Sequence, residues 1–380
     1  MAIIRLQSSQ LFLRLTASNL RSNLYSAFAR SSKLNSTFFF STTTAMASED
    51  QIKDSKILKW ASKDGEFRRK DVSVKKPVLF LLQSQGKSTI SKDPNATFSA
   101  EKGRYHLYIS YACPWAHRTA IVRELKGLQD IIGLSIVDWY LGEKGWKFSD
   151  PSETPGATID PINGAKYLSE LYFKADADYD GRYTVPVLWD KKLNTIVNNE
   201  SSEIIRIFNT AFDDLVEPKY KHVTYYPQDL QKKIDELNEW VYDTVNNGVY
   251  KAGFASKQEV YENHVVKVFS SLDRLEKIFA ENKTGPYLLG DVLTEADIRL
   301  YTTIIRFDTV YVQHFKCNIS TIRSNYPAIH KWLKHLYWDI PEFKDTTNFE
   351  HIKKHYTKSH KQINPFSITP LGPVPDIEPK

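Results

Sequence analysis

The sequence predicts an α/β domain over residues 104–218 followed by an all-α domain over residues 219–345. Three observations support this prediction. The chain has 380 residues, 41% of them hydrophobic, which is enough for two domains with separate cores. Residues 104–218 change between strand-like alternation and helical spacing, whereas the residues after Pro218 show helical spacing alone. No apolar run approaches the roughly 18–20 residues that a membrane-spanning helix needs, so no membrane span is expected.

The α/β domain is predicted from six segments. In chain order they are strand 104–109, helix 114–125, strand 136–139, strand 183–189, strand 194–197 and helix 203–212. Pro186 is unusual within a strand because proline cannot donate to a ladder, and a cis peptide at the strand start is one solution. Residues 140–180 are too long for an ordinary connection, which indicates a functional loop or disorder. This βαβ and ββα order is that of a thioredoxin-like domain.

The all-α domain is indicated by apolar residues at helical spacing around 230–241 and 265–279. A third helix is expected to begin at Thr294. There Thr294 and Asp297 form a capping box, and Leu293 can pack against Ile298. Residues 346–380 are expected to be a C-terminal tail that ends in a proline-rich stretch.

The residues before the α/β domain divide into a leader, 1–47, and an extension, 48–103. Five basic residues and no acidic residue precede Glu49, so only +1 of the formal charge of +6 belongs to the rest of the chain. This distribution argues against nucleic-acid binding. The leader composition is typical of a mitochondrial presequence, with a disordered tail as the alternative. Met46 could start a shorter, cytoplasmic form.

Cys113 is the candidate catalytic residue, because it lies where a turn leads into a helix. Pro114 occupies the first helical position, where its missing N–H costs nothing. The positive end of a helix favours thiolate over thiol, and such sites bring a cysteine pKa to roughly 3.5–7.5. The alternative is a buried structural thiol, which is the interpretation we favour for Cys317.

Cys113 has no neighbouring cysteine that could resolve a disulfide, since Ala116 stands at the position that would complete a Cys-x-x-Cys motif. A single-thiol site needs an external thiol, for which glutathione is the obvious source. Two cysteines in so long a chain exclude a disulfide scaffold. His117 is placed to face Cys113 along the helix, although packing is its more common role. The histidines show no grouping that indicates a metal site.

Several motifs together give the chain a close resemblance, over most of residues 75–370, to the xi class of glutathione transferases, the glutathionyl-hydroquinone reductases. They are YACPWAHR at 111–118, GWKF at 145–148, GRYTVPVLWD at 181–190, NESSEIIR at 199–206, NGVY at 247–250 and IRFDTVY at 305–311. The resemblance implies glutathione transferase architecture and a homodimer formed largely by the helical domain. It implies glutathione as co-substrate and no permanently bound cofactor.

The resemblance also implies a glutathione site. Val185 would pair with the cysteinyl part of glutathione through its backbone. Ser201 would take the γ-glutamyl carboxylate at a helix N-terminus, and Glu200 would accept from the γ-glutamyl ammonium. Trp146 would cover the ligand. The alternatives are a simple helix cap for Glu200 and Ser201, and a core side chain for Trp146.

For the second substrate, the resemblance implies an aromatic pocket lined by Tyr250, Tyr311 and Tyr356. The expected reaction removes glutathione from a glutathionyl-hydroquinone through a Cys113–glutathione disulfide, which a second glutathione resolves. Two alternatives stay within the fold, namely conjugation of glutathione to electrophiles and thiol transfer, including dehydroascorbate reduction. A further alternative is a non-catalytic binding protein of the same fold.

Overall fold

The computed structural model of the chain describes residues 64–67 and 88–380. All of these residues belong to one compact unit. The predicted leader, Met46 and most of the extension therefore lie outside the described residues.

A four-stranded mixed sheet forms the centre of the α/β domain, in the order β2, β1, β5, β6. Its strands are β1 (Tyr105–Ile109), β2 (Gly133–Ile136), β5 (Val187–Asp190) and β6 (Thr195–Asn198). The first pair is parallel and the other two are antiparallel. All residues of β1 and β5 are buried, as expected for central strands covered on both faces. The βαβ and ββα order predicted from the sequence is confirmed.

Helices cover this sheet. The first, α1 (Pro114–Leu125), has the predicted bounds, and the third, α3 (Ser201–Thr210), begins two residues before the predicted start. Between them, residues 140–180 are more ordered than expected. They contain the hairpin β3 (Leu141–Gly142) and β4 (Gly145–Trp146), followed by helix α2 (Leu168–Ala175).

Strand β2, which precedes residues 140–180, lies at Gly133–Ile136 and is therefore three residues closer to the N-terminus than the predicted 136–139. Asp138 explains the early end, because its carboxylate accepts from the hydroxyls of Ser149 and Thr154, both at 2.8 Å. Its backbone N–H donates to the carbonyl of Lys147 instead of continuing the ladder. The residue therefore anchors the following loop.

The second domain is helical, as predicted. Its helices are α4 (Gln231–Val241), α5 (Gly248–Gly253), α6 (Gln258–Glu281), α7 (Glu295–Ile304), α8 (Ile322–Asn325), α9 (Pro327–Asp339), α10 (Pro341–Asp345) and α11 (Phe349–Ser359). Two π-helical turns, Tyr242–Asn246 and Phe307–Tyr311, follow α4 and α7. The capping box at Thr294 and Asp297 is present.

The C-terminal segment is more structured than the tail expected at 346–380. Helix α11 lies in it and packs against the hairpin, since the hydroxyl of Ser359 accepts from the backbone N–H of Leu141 at 3.0 Å. Further along, the carbonyl of Glu378 accepts from the indole N–H of Trp338 at 2.9 Å. The segment is thus attached to both domains, while residues 361–375 between its two contacts are exposed or half-buried.

The described parts of the extension pack on both domains. Asn198 of β6 donates to the carbonyl of Ser88 at 3.2 Å. Phe67 is buried against the rings of Tyr250 and Phe254, with centroid distances of 6.1 and 5.7 Å. The extension therefore reaches the predicted aromatic pocket as well as the α/β domain. No helix in the described residues has the length and apolar character needed to cross a membrane.

Candidate functional site

Cys113 is the N-cap residue of α1, with Pro114 directly after it in the helix. Its backbone is extended, with φ −79° and ψ 118°, and its N–H donates to the carbonyl of Ser110 at 3.1 Å. The thiol is partly exposed. The sequence placed this residue correctly, because a buried strand, a short turn and a proline leave little freedom for where the helix begins.

Val185 lies opposite Cys113. The Val185–Pro186 peptide is cis, and the carbonyl oxygen of Val185 is 3.7 Å from the Cys113 Sγ. A strand cannot continue through Pro186, so β5 begins only after it and the backbone of Val185 is outside the ladder. Backbone that lies outside the ladder and beside the thiol can hydrogen-bond to the cysteinyl part of a peptide-like ligand.

Glu200 and Ser201 lie at the N-terminus of α3, as predicted. Glu200 is the N-cap, and its carboxylate accepts from the backbone N–H of Ser202 at 3.4 Å. The Ser201 hydroxyl is 3.4 Å from the same carboxylate, and Ser201 is buried. Free N–H groups at a helix N-terminus favour an anion, while the Glu200 carboxylate favours an ammonium group. The helix N-terminus and Glu200 together suit the end of a ligand that carries both a carboxylate and an ammonium group.

Tyr172 connects the Val185 segment to the N-terminus of α3, and the sequence analysis did not identify this residue. Its hydroxyl donates to the carbonyl of Thr184, the residue before Val185, at 2.7 Å. The same oxygen accepts from the side-chain amide of Asn199, the residue before Glu200, at 3.2 Å. The available signal was the apolar spacing within Leu168–Ala175, which is helical although it lies in a long polar segment.

Trp146 belongs to β4 and stacks on His355 of α11, with ring centroids 5.0 Å apart and an interplanar angle of 26°. The His355 Nδ1 donates to the carbonyl of Trp139 at 2.9 Å, and burial lowers the pKa of His355 to about 4. The imidazole is therefore neutral near pH 7. The ring of His355 also contacts Tyr356, so Trp146 is linked to the tyrosine pocket through this histidine.

The three predicted pocket tyrosines come together, although they lie on α5, the second π-helical turn and α11. The Tyr356 hydroxyl makes a short hydrogen bond with Tyr250 and lies 3.1 Å from the Tyr311 hydroxyl. Tyr311 and Tyr356 are fully buried, whereas Tyr250 is partly exposed. Trp115, two residues after Cys113, contacts the Tyr250 ring edge-on at a centroid distance of 5.4 Å.

All three phenols hold their protons at neutral pH. Burial raises the pKa of each above its usual value, and negative charge on Cys113 raises the pKa of Tyr250 and Tyr311 further. The contact between Trp115 and Tyr250 puts the cluster near the start of α1, in agreement with these charge effects. The arrangement can therefore supply a proton next to a sulfur nucleophile.

His117 does not act as a charged neighbour of the thiol. It is buried in α1, and burial lowers its pKa well below the usual value. Its Nε2 is 3.1 Å from the Thr346 hydroxyl, and its Nδ1 is 3.0 Å from a guanidinium nitrogen of Arg306. Cys317 is buried, and burial raises its pKa to about 12, which agrees with a structural thiol. Within residues 64–67 and 88–380, no group of three or more His, Cys, Asp or Glu side chains could hold a metal ion.

Two family profiles match this architecture. The glutathione S-transferase N-terminal domain profile matches residues 112–211, and the glutathione S-transferase C-terminal domain profile matches residues 258–335. The two matches cover the thiol, the cis-proline segment and the α3 N-terminus in the first domain, and α6 to α9 in the second.

Full-length relatives extend the match. The chain is 57% identical to glutathione S-transferase omega-like 2 of Schizosaccharomyces pombe over 323 residues, which are 85% of this chain and 98% of that protein. It is 56% identical to the glutathionyl-hydroquinone reductase YqjG of Escherichia coli over 281 residues, 74% of this chain and 83% of that protein.

Solved structures show the same relationship. The xi glutathione transferase of Phanerochaete chrysosporium is 55% identical, with a TM-score of 0.77, covering 84% of this chain and 96% of that one. The xi glutathione transferase ECM4 of Saccharomyces cerevisiae, in complex with glutathione, is 50% identical, with a TM-score of 0.74, covering 79% of this chain and 100% of that one. The chain therefore belongs to the glutathione transferase family of enzymes and, within it, to the xi class.

Proposed function

We propose that this enzyme is a glutathionyl-hydroquinone reductase in which the Cys113 thiolate removes glutathione from glutathionylated hydroquinones. The observation that carries the proposal is the combination of a single thiol at a helix N-terminus with a cluster of three protonated tyrosines that contacts Trp115, two residues after the thiol. A thiolate attacks sulfur, and a neighbouring acid protonates the carbon that leaves. The names of relatives from Escherichia coli and Sphingobium chlorophenolicum support this choice of substrate.

Glutathione would bind along the line from Cys113 to the N-terminus of α3. Glu200 accepts hydrogen bonds from the γ-glutamyl ammonium, and the Ser201 hydroxyl with nearby backbone N–H groups binds the γ-glutamyl carboxylate. Val185 offers its backbone to the cysteinyl residue. Trp146 forms the cover, held in orientation by the His355 ring. Glutathione is consumed as a co-substrate and is not a resident cofactor.

In the first step, the Cys113 thiolate attacks the sulfur of the glutathionyl-hydroquinone. The new S–S bond joins Cys113 to glutathione while the sulfur–carbon bond breaks. Its electron pair goes to the ring carbon, which takes a proton and yields the free hydroquinone. Tyr250 is the proposed donor, because it is the partly exposed member of the tyrosine cluster and the one that contacts Trp115. Tyr356 stabilises the phenolate left on Tyr250 through their hydrogen bond.

In the second step, a glutathione thiolate attacks the glutathione sulfur of the mixed disulfide. Oxidised glutathione leaves, and the Cys113 thiolate is restored. The sum of both steps converts one glutathionyl-hydroquinone and one glutathione into one hydroquinone and one oxidised glutathione. No second protein cysteine takes part, in agreement with Ala116 at the resolving position and with a buried Cys317.

The test mixes purified protein with glutathionyl-menadiol and glutathione, and follows menadiol release by chromatography beside a Cys113→Ser variant. The proposal predicts release by the wild type and a loss of at least a thousandfold in the variant. Equal rates in both proteins, or no release by the wild type, would contradict it.

Thiol transfer is the second candidate function, since the same mixed disulfide serves reduction of glutathionylated thiols or dehydroascorbate. Conjugation of glutathione to electrophiles is disfavoured, because that reaction usually needs a Ser or Tyr hydroxyl to stabilise the glutathione thiolate, whereas Cys113 occupies this position and suits thiol–disulfide exchange. Turnover of chlorodinitrobenzene that survives Cys113→Ser would favour conjugation. A non-catalytic role would show itself as inactivity toward all three substrate classes.

Mitochondrial import is proposed from the basic, acid-free composition of residues 1–47. A fusion of these residues to a fluorescent protein should enter mitochondria, whereas a fusion that starts at Met46 should stay in the cytoplasm. Uniform cytoplasmic fluorescence of both fusions would contradict the proposal.

A homodimer is proposed from the family resemblance. Light scattering coupled to size-exclusion chromatography should give twice the chain mass at micromolar concentration. A monomer mass at all accessible concentrations would contradict it.

A further inference from the structure

Arg306 is a completely buried arginine between α7 and the second π-helical turn. Two other buried arginines, Arg104 and Arg299, have carboxylate partners within 4 Å. Arg306 has no such partner among the described residues. Burying an uncompensated guanidinium is unfavourable, so its contacts should explain why it is there.

The guanidinium of Arg306 holds the turn that leads into Cys113. Its Nη2 donates to the carbonyl of Tyr111 at 2.8 Å, and its Nε donates to the carbonyl of Ala112 at 3.1 Å. These are the two residues directly before the thiol. Its Nη1 donates to the carbonyl of Thr302 at 2.7 Å, which fixes the guanidinium to the last turn of α7. One cation therefore binds both sides of the interface between the two domains beneath the site.

The same Nη1 also determines the state of His117. A guanidinium can only donate, so the His117 Nδ1 at 3.0 Å must be the acceptor. The proton of the neutral ring is then on Nε2, which faces the Thr346 hydroxyl at 3.1 Å. Arg306 thus holds the histidine on α1 in a neutral form with a defined tautomer.

Seven titratable side chains near the Cys113 turn are neutral near pH 7. Burial raises the pKa of four tyrosines, namely Tyr111 in the turn, Tyr250 in α5, Tyr311 in the π-helical turn and Tyr356 in α11. Burial lowers the pKa of three histidines, namely His117 in α1 and His351 and His355 in α11. The positive charge of Arg306 lowers the pKa of Tyr311 and Tyr356 against this trend. Charged side chains of α1 also face this region, since Arg118 lies over the Trp115 ring and Arg123 and Glu124 act on Tyr111. Arg306 is the cation that hydrogen-bonds to the backbone of the turn itself.

We infer that Arg306 is a positioning residue of the Cys113 site, whose hydrogen bonds hold the 111–113 turn and whose charge stabilises the anionic states of Cys113 and of the tyrosine cluster. The inference deepens the proposed function and rests on it only for the second anion, the phenolate formed in turnover. The stabilisation of the thiolate is a property of the free protein. It can therefore be measured without any glutathionylated substrate.

The experiment compares Arg306→Lys, Arg306→Gln and Arg306→Met in a Cys317→Ala background, where Cys113 is the sole thiol. The rate of alkylation by iodoacetamide is followed by mass spectrometry across pH 4–10. Loss of the charge in the Gln and Met variants should move the midpoint of the alkylation profile at least about one pH unit upward. The Lys variant, which keeps the charge but loses the planar fork, should stay within a few tenths of a unit of the parent while turning over more slowly.

Arg299→Gln is the matched control, because Arg299 is a buried arginine two turns earlier in the same structural segment, with Glu295 as its partner. It should lower the melting temperature and leave the alkylation midpoint unchanged. Circular dichroism establishes that each variant is folded, and if Arg306→Met does not fold, the comparison of Gln with Lys decides.

Two outcomes overturn the inference. The first is an Arg306→Gln midpoint equal to that of the parent, which would leave Arg306 a merely structural role. The second is a Lys midpoint shifted as far as that of Gln, which would show that the charge does not act on the thiol. A parent protein with a low midpoint that does not release menadiol would instead contradict the proposed function and leave the inference standing.

Discussion

The Sγ of Cys113 lies 3.7 Å from the carbonyl oxygen of Val185, although 72 residues separate them in the chain. This contact sets the start of α1 against the cis-proline segment before β5. A ligand cysteine that pairs with the Val185 backbone therefore has its sulfur next to the protein thiol. This geometry suits the disulfide between Cys113 and glutathione that we propose.

Replacing Tyr250 with Phe should lower kcat for glutathionyl-menadiol about a hundredfold, because the ring carbon loses its proton donor. Attack of Cys113 on oxidised glutathione has a sulfur leaving group that needs no carbon protonation. Formation of the mixed disulfide from oxidised glutathione should therefore be changed less than threefold. Stopped-flow and steady-state assays measure the two rates.

Tyr326→Phe is the control for this variant, since the Tyr326 hydroxyl also has one side-chain partner, Asp273 at 3.1 Å, but lies outside the site. Equal losses of both reactions in Tyr250→Phe would show that Tyr250 supports the thiol and does not donate the proton.

Replacing Tyr172 with Phe should weaken glutathione binding several-fold and leave kcat nearly unchanged. The lost hydroxyl joins the Thr184 carbonyl to Asn199, and hence the Val185 and Glu200 parts of the site. The free energy of unfolding should fall by about 1 kcal/mol for the lost hydrogen bonds. Calorimetric titration with glutathione, in a Cys113→Ser background, gives the affinity.

The control is Tyr225→Phe, which removes a buried hydroxyl that donates to the Leu125 carbonyl. This variant should lower the free energy of unfolding by a similar amount without changing the affinity for glutathione. If both variants bind glutathione equally well, Tyr172 contributes only to folding.

Replacing Glu200 with Gln should raise the dissociation constant of glutathione roughly tenfold or more, because a charge-assisted hydrogen bond to the γ-glutamyl ammonium is lost. Glu203→Gln, one turn further along α3, keeps an oxygen that can accept from Asn198 and should bind glutathione normally. Equal weakening by the two changes would indicate a general effect of charge near the helix N-terminus.

The fold should lose stability as the pH falls from 7 to 5. Burial lowers the pKa of His106 and His355 to about 4, of His314 to about 3, and of His117 and His360 well below the usual value. The unfolded chain binds these protons below its ordinary histidine pKa of about 6.5, while the folded chain does not. Stability is therefore complete above that pH and is lost toward the folded pKa values.

Each such histidine should contribute about 1–2 kcal/mol to the loss between pH 7 and 5. Urea unfolding followed by circular dichroism at several pH values measures this decrease in the free energy of unfolding. A midpoint that stays constant or rises on acidification would show that these histidines are not held neutral in the folded protein.

Much of the site was predictable because local sequence rules determine it. Pro114 after the capping position determines where α1 begins. Pro186 has no N–H for the ladder, so the strand has to begin after it. Tyr172, His355 and Arg306 were not predicted, since their importance comes from partners more than a hundred residues away or in another element. A long polar segment concealed the helix of Tyr172, and a proline-rich ending concealed the helix that brings Tyr356 to Tyr250 and Tyr311.

A single-turnover experiment shows whether Cys113 takes glutathione from a hydroquinone conjugate. The enzyme is mixed with one equivalent of glutathionyl-menadiol in the absence of free glutathione, quenched with acid and analysed by intact-mass and peptide mass spectrometry. We predict that one menadiol is released per chain and that one glutathionyl group is found on Cys113, removable by added glutathione. Menadiol release with an unmodified Cys113, or a glutathionyl group found on another residue, would contradict it.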